Sequence, residues 1–162
     1  MIILKIKFMD KIIIQDKFLN ENECDRLINF YNSRPLPQNY KTTFPLNLYL
    51  NDHKSLVKKI NKIATDINKS TIDWFQIVKW PFPNVGMDMH FDDASSKTTL
   101  SAIIYLNDDY LGGYTHFEDK THIAPVKGRA IFFNGKKYKH GVSIIDRHER
   151  YTLAVWLKNG KI

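Results

Sequence analysis

The chain has 162 residues, of which 43% are hydrophobic and 13% aromatic, and its formal net charge is +7. This composition excludes a disordered, collagen-like or low-complexity protein, and the length fits one domain that buries about 70% of its unfolded surface. The positive charge alone would favour an acidic partner such as nucleic acid, but the lysines are spread singly or in pairs, which is more typical of a solvated surface.

The N-terminal segment MIILKIKFMDKIII is apolar but interrupted by charges, at Lys5, Lys7, Asp10 and Lys11. These charges argue against a signal peptide or a membrane span, and the segment predicts two short strands. Cys24 is the single cysteine, so no internal disulfide can form. We therefore expect a reducing, cytoplasmic location.

Two early segments predict helices. The first follows the capping residues Asn20–Glu23 and ends before Pro35 and Pro37. Its apolar residues at helical spacing are Cys24, Leu27, Ile28 and Tyr31. The second is predicted to begin near Asn51–Asp52. Its expected buried stripe is Leu56, Ile60, Ile63 and Ile67, and its expected solvent-facing residues are Lys54, Lys58, Lys62 and Lys69.

The segment between the helices, RPLPQNYKTTFPLNLYL, combines prolines and aromatic residues without a regular period. It predicts a loop flanked by strands that could act as a lid. From Thr71 onward the pattern changes to short strands separated by turn residues: IDWFQIVKW, TTLSAIIYL, YTHF, THIA, RAIFF, HGVSII and RYTLAVWL. Such a run predicts a sandwich or a jelly roll with both helices on one outer face.

Two neighbouring polar residues, His90 and Asp92, are candidate metal ligands. In an extended chain, residues two apart point the same way, so both side chains can reach one ion. His140, which opens the strand HGVSII, is a candidate third ligand. Two histidines and a carboxylate form the facial triad that suits non-haem Fe(II), whereas catalytic zinc usually keeps only one open position. The alternative is a hydrogen-bonded histidine followed by an ordinary turn.

Arg150 begins the last strand, and by alternation it shares a face with Thr152, Ala154 and Trp156. If that face looks into the barrel, the guanidinium is buried and needs an anionic partner, such as the carboxylate of a ligand. Alternatively, Arg150 lies in water at the start of the strand and pairs with a neighbouring acidic side chain.

In these residues the sequence resembles the Fe(II)- and 2-oxoglutarate-dependent oxygenases, and within them the prolyl 4-hydroxylases. The resemblance covers about Phe75 to Lys158. It rests on an ordered set of motifs: His90-x-Asp92, LSAIIYLND, GGYTHF, APVKGRAIFF, His140, and Arg150 followed by Trp156. It implies a double-stranded β-helix, or jelly roll, with two supporting N-terminal helices. We expect a single domain over 1–162, with the strands and helices in 1–70 and the jelly-roll core in 71–160.

The resemblance also implies site roles. His90, Asp92 and His140 would hold Fe(II), and Arg150 would bind the 5-carboxylate of 2-oxoglutarate with help from the Tyr105 hydroxyl. Trp80 stands where the family often has a tyrosine that contacts the co-substrate; its indole N–H can donate there but cannot accept. Trp156 and, in the lid segment, Tyr40 are candidate substrate-binding residues. The implied cofactors are Fe(II), 2-oxoglutarate and O2, with ascorbate as a further candidate.

The resemblance favours a dioxygenase that hydroxylates a prolyl residue in a peptide or protein. One alternative is an oxygenase of the same superfamily that acts on a small molecule or a nucleic-acid base. Nucleic acid is disfavoured because the family's demethylases carry a second arginine beyond the distal histidine, and none follows Arg150 here. The other alternative is a jelly-roll binding module without catalysis. We expect no membrane partner, and the sequence does not indicate an oligomeric state.

Overall fold

A computed structural model describes residues 11–160 of the chain. Its elements, in chain order, are β1 (Ile13–Gln15), α1 (Glu21–Asn32), β2 (Phe44–Asn47), a 3-10 turn (Leu50–Asp52), α2 (Lys54–Asn68), β3 (Ser70–Trp80), β4 (Val85–His90), β5 (Thr98–Tyr105), β6 (Leu111–Gly112), β7 (Thr115–Phe117), β8 (His122–Ile123), β9 (Ala130–Phe133), β10 (His140–Asp146) and β11 (Arg150–Asn159). Most of the predicted N-terminal strand pair lies outside the described residues, and β1 is the part of it that they include.

The strands form two antiparallel sheets. The larger sheet has six strands in the order β1-β9-β5-β11-β3-β2, and the smaller one runs β4-β10-β7-β8 with β6 paired to β10. Apart from the consecutive pairs β2–β3 and β7–β8, neighbours in each sheet are distant in sequence, because the chain crosses repeatedly between the two sheets. This is the jelly roll that the strand pattern and the resemblance predicted.

Helix α1 begins with a reciprocal capping box. The Asn20 side chain accepts a 2.9 Å hydrogen bond from the Glu23 backbone N–H, and the Glu23 carboxylate accepts a 2.8 Å bond from the Asn20 N–H. The helix ends at Asn32, ahead of the two prolines. Both the predicted start and the predicted end are confirmed.

Helix α2 begins at Lys54, slightly later than predicted, because residues 50–52 form a 3-10 turn. Ile60 is buried and the other predicted stripe residues are half-buried against the core, while the four lysines named above are exposed. Lys59 joins the two helices, since its ammonium lies 2.9 Å from the Glu23 carboxylate.

Both helices cover the outer face of the larger sheet. Buried residues of the helices pack with Tyr151, Leu153, Val155 and Leu157 of β11. The opposite face of β11 therefore looks between the sheets, as alternation requires. This packing decides the orientation of Arg150 and Thr152, which lie in the interior of the roll and are both buried.

The strand prediction missed β2, β4 and β6. The sequence of β4, VGMDMH, has a glycine and an aspartate where a strand pattern favours β-branched residues. A register shift between β4 and β10 lets Met87 face Val142 and His90 face His140, with an extra residue on β4. This bulge is why simple alternation does not describe the strand. Within residues 11–160, no helix is long and apolar enough to cross a membrane.

Candidate active site

The three predicted metal ligands converge between the sheets. The end of β4 pairs with the start of β10, which places His90 directly opposite His140. Asp92 Oδ1 lies 3.5 Å from His140 Nε2 and 3.7 Å from His90 Nε2. One ligand atom from each residue lies within 4.8 Å of the other two. This geometry favours a shared metal site over a hydrogen-bonded histidine followed by an ordinary turn.

Both histidines are oriented by backbone carbonyls. His90 Nδ1 lies 2.9 Å from the Asp88 carbonyl oxygen, and His140 Nδ1 lies 2.9 Å from the Tyr138 carbonyl oxygen. A carbonyl can only accept, so each Nδ1 carries the hydrogen and donates it. The lone pair of each imidazole then sits on Nε2, which faces Asp92. This is the arrangement in which a neutral histidine binds a metal.

Asp92 is positioned by two contacts that the sequence did not reveal. Its backbone N–H donates to the Gly135 carbonyl over 2.8 Å, and Ser101 Oγ donates to its Oδ2 over 2.6 Å. A side chain at residue 135 would meet Asp92 Oδ2 at 2.5 Å, so only glycine fits there. These contacts occupy Oδ2 and leave Oδ1 directed at the histidines. The serine inside the apolar strand TTLSAIIYL was the available signal for this role.

The ionisation of the triad suits a cation. Burial lowers the pKa of His90, and the nearby His140 and Lys41 lower it further, so the ring is neutral. Burial by itself would raise the pKa of Asp92, but its interactions with His140 and Ser101 keep that pKa below the usual value. Two imidazoles and one carboxylate are the donor set of the facial triad, and the residues present therefore fit Fe(II).

Arg150 is the largest fully buried side chain among the described residues, with 1% of its surface exposed. Its Nε and Nη2 atoms are buried and have no hydrogen-bond partner within residues 11–160. Glu149, the acidic neighbour, pairs instead with Lys79 at 2.9 Å. An unpaired buried charge costs on the order of 3–5 kcal/mol. The unused edge of the guanidinium therefore fits the carboxylate of a ligand such as 2-oxoglutarate.

Aromatic rings hold the Arg150 guanidinium in place. Its central carbon lies 4.8 Å from the ring centroid of Trp80 and 5.4 Å from that of Tyr105. The Trp80 indole N–H donates to Thr152 Oγ1 over 3.2 Å. The Trp80 ring therefore contacts the Arg150 guanidinium, and its indole N–H is hydrogen-bonded to Thr152. A direct contact between Trp80 and the co-substrate stays a prediction.

The Tyr105 hydroxyl is buried and already hydrogen-bonded. It lies 2.5 Å from Thr115 Oγ1 and 3.4 Å from the Ile123 carbonyl oxygen, to which it can donate. Thr115 is a second contact that sequence reasoning missed. Tyr105 faces the interior as expected, and its help in carboxylate binding stays a prediction.

The two candidate substrate residues occupy different surroundings. Trp156 is half-buried and stacks on Trp74, with ring centroids 3.7 Å apart and planes inclined by 8°. It pairs across the sheet with Ser101, so this stack borders the metal site. Tyr40 is 60% exposed and forms a turn with Thr43 through two backbone hydrogen bonds. The adjacent Lys41 contributes to the lowered pKa of His90.

The four remaining histidines lie outside the triad, and one of them, His53, precedes α2. His116 and His122 face each other across β7 and β8, with ring centroids 5.9 Å apart, and His148 is exposed beside Phe82. Within the described chain, the triad is the one group of three or more metal-ligating side chains close enough to share an ion.

Comparison with known proteins gives one family match. The family model described as "2OG-Fe(II) oxygenase superfamily" matches residues 75–158. This range includes all three metal ligands, Tyr105 and Arg150.

Individual similar proteins match either a short segment of the chain or most of it at low sequence identity. Prolyl 3-hydroxylase 1 of Gallus gallus is 40% identical over 63 residues, which are 35% of this chain and 9% of that protein. The viral collagen prolyl hydroxylase vCPH of Paramecium Bursaria Chlorella virus-1 superimposes with a TM-score of 0.76 at 24% identity, covering 93% of this chain and 96% of the other. A Pseudomonas putida prolyl-4-hydroxylase gives a TM-score of 0.78 at 18% identity, covering 99% and 100%. These two likenesses show the fold.

Proposed function

This chain belongs to the 2OG-Fe(II) oxygenase superfamily, and from that premise we propose that it hydroxylates a prolyl residue in a peptide or protein. The observation that carries the enzymatic part is the His90–Asp92–His140 cluster, together with a buried Arg150 whose Nε and Nη2 atoms have no hydrogen-bond partner within residues 11–160. A jelly-roll binding module without catalysis would have no use for this combination, because the buried guanidinium destabilises the fold until an anion pairs with it.

The enzyme is a dioxygenase that uses Fe(II), 2-oxoglutarate and O2. When bound, these cofactors couple the oxidative decarboxylation of 2-oxoglutarate to succinate and carbon dioxide with the insertion of one oxygen atom into a C–H bond of the substrate. His90, Asp92 and His140 would hold the metal and leave its other positions for co-substrate and oxygen. Arg150 would seat the distal carboxylate of 2-oxoglutarate.

The protein's own contribution is to position these groups and exclude water. His90 and His140 sit at the facing ends of two paired strands, which fixes the distance between them. Ser101 and Gly135 fix the Asp92 carboxylate. Arg150 is 1% exposed and lies against the rings of Trp80 and Tyr105, so a carboxylate that pairs with the guanidinium would be shielded from bulk water.

The prolyl substrate is supported by the relatives and by the surface near the metal site. The sequence relative and both structural neighbours described above are named prolyl hydroxylases. Tyr40 presents an exposed aromatic ring, and the neighbouring Lys41 contributes to the lowered pKa of His90. An aromatic face is a suitable surface for a proline ring. The Trp74–Trp156 stack offers a second one beside Ser101.

The test is hydroxylation of proline-containing peptides, followed by mass spectrometry. Wild-type protein with Fe(II), 2-oxoglutarate and ascorbate should add one oxygen atom to a proline and form succinate, while His140→Ala should do neither. Amino-acid analysis of the product would separate 3-hydroxyproline from 4-hydroxyproline. Succinate formation with oxygen transfer to nucleosides, and none to any peptide, would refute the prolyl proposal and leave the family assignment intact.

We also propose a reducing, cytoplasmic location. It is supported by Cys24, the single cysteine of the sequence, which is buried and unpaired in α1. Localisation of a tagged protein in its host cell would test it.

A further inference from the structure

Tyr110 has a buried hydroxyl that forms no hydrogen bond. The residue is 7% exposed, and within the described part of the chain its Oη atom has no hydrogen-bond partner. A buried hydroxyl without a partner costs on the order of 1–3 kcal/mol. The family resemblance assigns a role to Tyr105 but none to Tyr110, which lies in the loop after β5. The energetic cost of this missing hydrogen bond indicates that a bound ligand supplies the partner of the Tyr110 hydroxyl.

The hydroxyl end of Tyr110 lies beside Arg150. A Cβ atom built on Gly113 would meet Tyr110 Cε2 at 2.7 Å and Arg150 Cδ at 3.1 Å. Gly113 has a positive φ of 65° and no side chain, and this lets the two residues approach each other. Tyr110 Cδ2 lies 3.2 Å from the same Cβ position, so the side edge of the ring faces Gly113, and Cε2 on that edge is bonded to the carbon that carries the hydroxyl. The Tyr110 ring lies in the same buried cluster as Trp80, and the Arg150 guanidinium lies over the Trp80 ring.

Three unused donors therefore meet in one buried region: the Nε and Nη2 hydrogens of Arg150 and the hydroxyl hydrogen of Tyr110. The two Arg150 hydrogens lie on one edge of the guanidinium, where they match both oxygens of a carboxylate. A carboxylate accepts more than two hydrogen bonds, so a third donor can be accommodated. We propose that Tyr110 donates a hydrogen bond to the distal carboxylate of 2-oxoglutarate, alongside Arg150.

Tyr105 is a weaker candidate for this donation. Its hydroxyl lies 2.5 Å from Thr115 Oγ1 and can donate to the Ile123 carbonyl at 3.4 Å, whereas residues 11–160 offer no acceptor to the hydroxyl hydrogen of Tyr110. Tyr110 also stays protonated, since burial raises its pKa well above the usual value and the neighbouring Arg150 cation offsets only part of that rise. The inference rests on the 2-oxoglutarate requirement of the family and not on the prolyl substrate.

The experiment is a calorimetric titration of the oxygen-free Fe(II) protein with two ligands. One is 2-oxoglutarate; the other is 2-oxopentanoate, which keeps the metal-binding end but lacks the distal carboxylate. Tyr110→Phe should weaken 2-oxoglutarate binding about tenfold or more, the typical effect of losing a hydrogen bond to a charged group. Its affinity for 2-oxopentanoate should match that of the wild type. Tyr114→Phe, at an exposed tyrosine of the same loop region, should bind both ligands normally.

Thermal melting supplies a second readout that a purely structural role would not produce. Without ligand, Tyr110→Phe should melt no lower than the wild type, because it removes a hydroxyl that has no protein partner. With saturating 2-oxoglutarate it should gain less stability than the wild type. Unchanged 2-oxoglutarate affinity, or equal losses for both ligands, would overturn the inference alone. Absence of 2-oxoglutarate binding by the wild-type protein would overturn it together with the co-substrate assignment.

Discussion

Ser101 Oγ donates a 2.6 Å hydrogen bond to Asp92 Oδ2, the carboxylate oxygen that is not directed at the histidines. Asp92 Oδ1, in contrast, faces the Nε2 atoms of His90 and His140 at 3.7 Å and 3.5 Å. The serine thus decides which oxygen of the carboxylate is available to a metal. Residues that orient a metal ligand in this way influence affinity although they never touch the ion.

Ser101→Ala should therefore weaken metal binding by about tenfold to a hundredfold, because Asp92 loses the contact that fixes its rotation. Titration with Mn(II) or Fe(II) in the absence of oxygen would measure the dissociation constant. Ser96→Ala is the matched control, since Ser96 is exposed on the loop before β5. Equal affinities for wild type and Ser101→Ala would show that backbone contacts alone orient Asp92.

His140→Ala should reduce succinate formation by at least about a hundredfold, because only two metal ligands remain. The assay is 2-oxoglutarate turnover with added Fe(II). His148→Ala should retain wild-type turnover, since His148 is exposed and lies outside the triad. Substantial turnover by His140→Ala would contradict the assignment of the triad as the iron site.

Arg150→Met should separate ligand binding from stability. Loss of a bidentate, charge-assisted contact should weaken 2-oxoglutarate binding by at least about a hundredfold. The melting temperature without ligand should not fall, because the change removes an unpaired buried charge and keeps a side chain of similar length. Calorimetry and thermal melting give the two values, with the exposed Arg26→Met as control. If Arg150→Met lost much stability but bound 2-oxoglutarate normally, Arg150 would have a structural role and not a ligand-binding one.

Tyr40→Ala should raise the KM for a peptide substrate about threefold to tenfold, by removal of the exposed aromatic ring proposed to contact the peptide. The dissociation constant for 2-oxoglutarate should not change, because Tyr40 lies outside the buried region around Arg150. Steady-state kinetics with a proline peptide that the wild-type protein hydroxylates would measure the KM, and calorimetry would measure the dissociation constant for 2-oxoglutarate. Tyr49→Ala serves for comparison, since Tyr49 is 73% exposed and lies beyond β2. The same KM for Tyr40→Ala and wild type would exclude this turn from substrate binding.

Cys24 should resist alkylation in the folded protein. Burial raises the pKa of its thiol to about 11, so at pH 8 only about one part in a thousand is thiolate, the form that reacts. The residue is also inaccessible, with 0% of its surface exposed. Iodoacetamide at pH 8 should modify Cys24 only after the protein is unfolded with denaturant. Rapid modification of the native protein would contradict the packing of α1.

Much of the site was predictable because its signals are local in the sequence. His90 and Asp92 are two residues apart, and His140 and Arg150 each begin a strand with clear apolar alternation. The capping box at Asn20 and the stripe around Ile60 likewise depend on neighbours a few residues away. Periods of 2 and 3.6 residues describe such elements without knowledge of the fold.

The parts that were missed depend on contacts between distant residues. Strand β4 has no clean alternation, because a bulge opposite β10 turns both Met87 and His90 inward. The role of Gly135 needs Asp92 from another loop, and the turn at Tyr40 acquires its position only when β2 pairs with β3. No pattern within one segment contains this information.

The sequence by itself determined the kind and the order of the ligands, two imidazoles, one carboxylate and one guanidinium, and the set of strands that could carry them. Only the tertiary structure decided which hydrogen-bonding atoms remain free. It brings the Trp80 N–H and the Tyr105 hydroxyl into hydrogen bonds with Thr152 and Thr115, and within residues 11–160 it leaves Arg150 Nε and Nη2 and Tyr110 Oη without a partner. The physical reason is that a buried polar group is satisfied by whatever the opposing strand places within about 3 Å of it, and that neighbour is set by sheet register rather than by sequence separation.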